Sequence, residues 1–238
     1  MDNFFIVEPP YAAPENRFLV RLANRGIKLL RPGYRLAAPP NPLVVMNTVE
    51  QRINYFHLLD AVIAHEIAGD VVEFGCFTGQ CALLFQKVLQ LHASSKTLHL
   101  YDSFDVQFTV QGSVKEALLA NFRMAGLPLP VLHQGYFEAT LPQQLPEQVA
   151  FVHIDCGFGG DHLAHKAVLL HCLAAVYPRM SKGAVCVLMD YHGGASAAGY
   201  DINPGVQLAC DEFLASKPER IVSLYGQQYA HAFFRKKE

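Results

Sequence analysis

Four carboxylates stand where apolar runs of this sequence give out: Glu73 in "VVEFG", Asp102 in "TLHLYD", Asp155 in "VAFVHID" and Asp190 in "AVCVLMDY". Each run reads as a buried strand, so each acid falls near a strand's carboxyl end. A carboxylate placed there can accept hydrogen bonds from ligand hydroxyls, hold a hard cation through oxygen, or exchange a proton as acid or base. Asp155 and Asp190 close successive runs and are expected to open into one crevice, as a divalent-metal pair or as acid and base. His192, just beyond the last of these runs, is a second candidate base. His153 alternates onto the side of Asp155 and reads as a core histidine.

The spacing Glu73-x-Gly75-x-x-x-Gly79 places two glycines in the turn that follows the first strand. Gly75 is expected to let the backbone turn sharply, and Gly79 to let a ligand approach the next helix. This is not the G-x-G-x-x-G that packs against a pyrophosphate, so a ligand without phosphate fits better. Asp102, at the tip of the second run, stands where a carboxylate holds a ribose diol. The third run ends "HQGYF", a glycine and aromatics at the place where an adenine would stack. No G-x-S-x-G, P-loop or H-E-x-x-H occurs, which removes the footing for hydrolase, kinase and zinc-protease readings.

These residues need a scaffold, and the alternation along the chain supplies one. Between the strand-like runs lie the helical stretches "QCALLFQKVLQLHA", "SVKEALLANFRMAG" and "HKAVLLHCLAAVYPRM". Strand and helix in repeated alternation predict an α/β fold: one doubly wound, mostly parallel seven-stranded sheet of Rossmann-like class. "RIVSLYG" and "AHAFFRKK" are close enough to pair as a hairpin, so the last strand is expected to be antiparallel. Upstream, "VEQRINYFHLLDAVIAHEIAG" has helical spacing and is expected to stop at Gly69. Residues 1–45, studded with proline around a basic stretch, read as an arm that packs on residues 46–238 or on a second subunit.

Apolar residues make up 51% of the 238 and charged residues 17%, enough for a well-filled core. A net charge of −2, with cations scattered along the chain, argues against nucleic acid or an anionic membrane as the main partner. Six cysteines without a C-x-x-C pair read as small buried hydrophobes. The opening stretch shows no basic region followed by a long apolar one, so no secretory signal is expected and the cytoplasm is the default.

Taken in order, "EFGCFTG", "YDSF", "KEALLANF", "GYFEATLP", "VAFVHID", "YPRMSKGA", "MDY" and "CDEF" resemble the macrocin O-methyltransferase family. The likeness runs from about Met46 to Phe213. It implies S-adenosylmethionine as cofactor, a bound Mg2+, and methylation of a sugar hydroxyl on a small molecule or natural product. It also implies roles. Glu73, Gly75 and Gly79, with Phe77 and Thr78 in the same turn, would surround the methionine part. Asp102 and Ser103 would hold the ribose, and Gly135, Tyr136 and Phe137 would lie near the adenine. Met46 and Thr48 match a segment that reaches over the cofactor, and Asp155 matches a carboxylate that ligates the metal beside the substrate.

Two departures stand out. The family has two consecutive aspartates before the strand-five tyrosine, where this chain has Met189-Asp190. A D-L-Y-E-S-T-like stretch is replaced by "CGFGGDHLAHK". Transfer to nitrogen or carbon without metal, or cofactor binding without transfer, therefore stand as alternatives. A homo-oligomer is expected from the arm and the apolar helix after it.

Overall fold

The computed structural model describes residues 18–30, 34, 36, 47–108, 110–156, 160–192, 203–226 and 230–238. Seven strands form one sheet: β1 (Asp70–Phe74), β2 (Leu98–Asp102), β3 (Val131–Gln134), β4 (Val149–Ile154), β5 (Met180–Met189), β6 (Val222–Leu224) and β7 (His231–Arg235). Their order is β3-β2-β1-β4-β5-β7-β6. Neighbours from β3 to β5 pair in parallel, and β7 runs antiparallel to both β5 and β6. The expected sheet and its reversed last strand are both present.

Alternation along the strands divides the core. Val71, Leu98, Leu100, Phe151, Val185 and Val187 face α2 (Val49–Ala64), α3 (Gln80–Leu91) and α4 (Val114–Met124), meeting Leu59, Leu84 and Leu118. Val72, Phe74, Tyr101, Val152, Ile154 and Leu188 face the other way, toward α5 (Phe137–Thr140), α6 (His162–Val176) and α7 (Gly205–Leu214). A period of two against helices on both faces leaves few polar places in the strands, so those that occur carry information. The six cysteines are free and buried, as small hydrophobes are.

Helix boundaries follow from caps. Thr48 opens α2 with a capping box: its hydroxyl accepts from the Gln51 amide, and the Gln51 side chain accepts from the Thr48 amide. Ser113 caps α4 by accepting from the Glu116 amide, and Asp161 caps α6 by accepting from the Leu163 and Ala164 amides, without the reciprocal bond. The expected stop of α2 at Gly69 is corrected. The helix ends at His65, and Gly69 has φ +105°, where a Cβ would lie 2.5 Å from the Gln148 carbonyl carbon. Gly69 serves the entry to β1 rather than the helix end.

The arm falls mostly outside the described residues. Its described element is α1 (Phe18–Leu30), which buries no residue.

Candidate active site

The chain reverses sharply where β1, β2 and β4 end together. Gly75 has φ +78°, and a Cβ there would lie 2.0 Å from the Asp155 carbonyl oxygen. Its amide donates to the Tyr101 carbonyl, and the Asp155 amide donates to Phe74, each at 2.9 Å. Glycine is required because β4's end crosses directly over the turn. Gly79 meets side chains rather than backbone. Its φ is +86°, and a Cβ would meet Leu118 Cγ at 3.2 Å and a Phe122 ring carbon at 3.3 Å. The missing side chain admits α4 to the start of α3.

Asp102 holds this turn. Its Oδ2 accepts from the Cys76 and Phe77 amides at 2.9 Å each, and its Oδ1 from the Phe104 amide at 2.8 Å. A carboxylate has about four acceptor directions, so one remains while all three amides stay bound. Ser103 beside it is half-buried, its hydroxyl accepting from the Asp105 amide. Phe77, at φ +43°, sets its ring edge against Phe108 with centroids 5.1 Å apart. Thr78 is buried, and its carbonyl accepts from Asn121. Both are thus pinned to the α4 side of the turn.

Glu73 explains itself through the sheet register. It pairs with His153 across β1 and β4, and both point toward α2 and α3. Glu73 is 2% exposed and His153 fully buried, with 2.9 Å between Glu73 Oε1 and His153 Nδ1. Burial, reinforced by the Asp102 charge, pushes the Glu73 carboxyl well above its usual range. Burial also lowers His153 to about 4, against the pull of Asp155 and Asp190. Both shifts favour a pair that is neutral as a whole. Among the described residues, Glu73 Oε2 and His153 Nε2 have no hydrogen-bond partner. Cys81 brings its sulfur to the same pair, and ligand atoms of the three lie within 4.8 Å of one another. That mixed set is of the kind zinc accepts, although one bond already joins the carboxyl to the imidazole.

Asp155, directly after β4, keeps an exposed face. Loss of surrounding water raises it to about 7, His153 opposes the rise, and Asp190, Glu73 and Asp102 add to it. Its tip is open, but the walls and the ring of carboxyls disfavour its charge. Asp190 has φ +60°, and its Oδ2 accepts from Asn203 Nδ2 at 2.6 Å. Registers from β1 to β5 bring Asp155 and Asp190 out on adjoining strands, as expected. His192 is buried beside them, with Tyr191 bonded to Asp211.

The remaining candidates divide. Gly135 takes φ +149° after β3, and Tyr136 is largely exposed. Phe137 turns its ring into the core, edge-on to Phe74 at 5.8 Å. Thr48 is a helix cap that also donates to the Gly226 carbonyl. Met46 lies outside the described residues.

Sequence reasoning missed how α2 reaches the site. Gln51 Nε2 and the Tyr55 hydroxyl donate to the Met189 sulfur at 3.1 and 3.2 Å, and Asn47 donates to Cys81 at 3.4 Å. Met189 is therefore fixed by two polar donors of α2, more than 130 positions away. Helical spacing marked α2 as apolar, and a glutamine and a tyrosine on its buried face were the available signal.

No protein-family model matches the chain, and no curated protein matches it. Solved structures do. The O-methyltransferase NovP superposes with a TM-score of 0.63 at 20% identity, over 84% of this chain and 85% of that one. An O-methyltransferase from Bacillus cereus, in complex with SAH, gives 0.57 at 15% identity, over 92% and 89%. CalS11, a TDP-rhamnose 3'-O-methyltransferase of calicheamicin biosynthesis, gives 0.51 at 18%, over 78% and 80%. The chain shares with them a Rossmann-like methyltransferase fold.

Proposed function

We propose that this chain is an S-adenosylmethionine-dependent O-methyltransferase that methylates a hydroxyl of a small molecule, a sugar or other natural product, in the crevice beyond β1, β2, β4 and β5. One observation carries the reading: carboxyls from four strands, Glu73, Asp102, Asp155 and Asp190, converge around a glycine turn. Such a ring repels the phosphates of a dinucleotide and favours a cationic ligand. A sulfonium with an ammonium group is that kind of cation. The structures that share the fold are O-methyltransferases, one in complex with SAH and one acting on a TDP-sugar.

When bound, the cofactor supplies an activated methyl group. The protein's part is to bind, orient and accept a proton. Asp102, while holding the turn, offers its remaining acceptor direction to one ribose hydroxyl, with Ser103 adjacent. Gly75, Phe77, Thr78 and Gly79 form the turn around the methionine part. The unpartnered Oε2 of Glu73 is the acceptor for its ammonium. Gly135 and Tyr136 flank the adenine, with Phe137 supporting from the core. Asp155, poised near neutrality, takes the proton of the acceptor hydroxyl, and Asp190 and His192 complete that end.

Mg2+ fits the oxygen donors of Asp155 and Asp190, since that ion takes one or two carboxylates and keeps several waters. The Met189 sulfur, held by Gln51 and Tyr55, favours a second reading in which transfer proceeds without metal.

Titration calorimetry with S-adenosylmethionine, with and without Mg2+, tests the cofactor and the metal. Turnover with nucleotide-sugar and natural-product hydroxyls tests the acceptor. Asp155→Ala should retain cofactor binding and lose transfer. Absence of binding in either buffer would remove the assignment.

A further inference from the structure

We infer that α1 docks the protein on an anionic lipid bilayer surface. At about 100° per residue, the 13 residues of α1 separate cleanly. Phe18, Leu19, Val20, Leu22, Ala23, Ile27, Leu29 and Leu30 cover an arc of roughly 200°, and Arg21, Asn24, Arg25 and Lys28 occupy the rest. Among the described residues the fold covers the apolar arc only in part: Val20, Ala23 and Ile27 are half-buried and the rest is open. Leu19, Leu29 and Leu30 are 74%, 83% and 80% exposed, with Phe18 and Leu22 exposed beside them. On the polar side Asn24 is tied to the Leu36 backbone by two 2.9 Å hydrogen bonds, which holds the helix to the chain that follows it.

Charge identifies the occupant. From residue 17 to residue 35 the sequence carries six cations (Arg17, Arg21, Arg25, Lys28, Arg31 and Arg35) and no acid, although the whole chain is net negative. The chain-wide balance that argued against a membrane conceals this segregation. A second copy laid helix to helix would set these cations against one another. Lipid headgroups of negative charge would instead meet the cationic flank while the leucines enter the acyl boundary. The long cationic stems reach back to the headgroups from there. At 1.5 Å per residue the helix is about 20 Å long, too short to span a bilayer and suited to lying in its plane. No described helix is long and apolar enough to cross a membrane.

The test is co-sedimentation of the full chain with phosphatidylcholine vesicles, pure or mixed with phosphatidylglycerol. The mixed vesicles should capture the protein, added salt should weaken the capture, and pure phosphatidylcholine should hold far less. Leu22→Glu with Leu29→Glu should release it. Both positions are exposed, so thermal midpoints should be unchanged. Arg21→Ser and Arg25→Ser should each weaken binding about fivefold, and they probe the same face if the leucine variant is unstable. Protein left in solution with both kinds of vesicle would overturn the inference, as would capture that survives the variants. So would a concentration-dependent dimer, broken by the leucine variant, without vesicle binding.

Discussion

Two buried or half-buried acids carry most of what single residues do here. Asp102 binds three backbone amides of the turn, so it is part of the scaffold before any ligand arrives. Asp102→Ala should lower stability by about 3 kcal/mol, because amides lose a charged acceptor. It should also abolish cofactor binding. Asp102→Asn keeps one acceptor oxygen and should lose roughly half as much in a urea melt. An alanine variant with an unchanged midpoint would show that the turn stands without this carboxylate. Glu73 and His153 make a different prediction, through linkage. Their unfolded values are 4.5 and 6.5, and folding raises the first and lowers the second. Between 4.5 and 6.5 the unfolded pair holds one proton, on histidine, and the folded pair also holds one. The contribution to stability is therefore flat in that window. Above 6.5 the unfolded pair is bare, and for as long as the raised Glu73 carboxyl keeps its proton stability falls with pH, by at most about 1.4 kcal/mol per pH unit. Glu73→Gln should remove that fall and leave a rise from about 4 to 6.5 due to His153 alone. Urea midpoints measured across pH for both proteins decide it.

At the scale of elements, the strands were readable because each is a short apolar run between polar breaks. Helices α2, α3, α4 and α6 were readable as longer stretches with apolar positions at helical spacing, whereas α1 lay in a stretch read only as an arm and α5 is a single short turn. What the sequence could not disclose is contact across long separations. Glu73 meets a histidine 80 positions away, and nothing local says so. Asp102 is visible as an acid at a strand tip, but the amides it binds become neighbours only when β1 and β2 lie side by side. Gly79 also makes room for Leu118 and Phe122, some forty positions on, which nothing local announces. Asp155 and Asp190 were placed correctly at the ends of adjoining strands, since parallel order alone sets that. Glycines sort in the same way, by what crosses them. Gly75→Ala would drive a Cβ into the Asp155 backbone and should cost roughly 4 kcal/mol or more. Gly112 has φ +93° with nothing within 4 Å of a Cβ, so Gly112→Ala should cost only about 1 kcal/mol of left-handed strain. Equal losses in thermal melts would mean that β4 does not press on the turn as described.

The whole molecule distributes charge unevenly, with cations gathered on the arm and carboxyls gathered where β1, β2, β4 and β5 end. That second gathering makes ligand binding a proton-linked event. Asp155 sits at about 7 because its surroundings strip water from it and set three other carboxyls near it. A cationic ligand supplies the opposite charge, favours the ionised form and lowers that value. Binding of S-adenosylmethionine near pH 7 should then release a proton, and affinity should rise as pH increases through 7. Calorimetry in two buffers of different ionisation enthalpy reads the released proton directly. The release should approach about half a proton near pH 7, where Asp155 is half ionised, and should vanish about two units above, where it is already ionised. Asp155→Asn should bind with no released proton at either pH while the fold, whose core lies beneath the crevice, is unchanged. If the wild type and this variant release the same number of protons, the carboxyl that senses the ligand is another one. The roles assigned to Asp155 and Asp190 would then have to be exchanged.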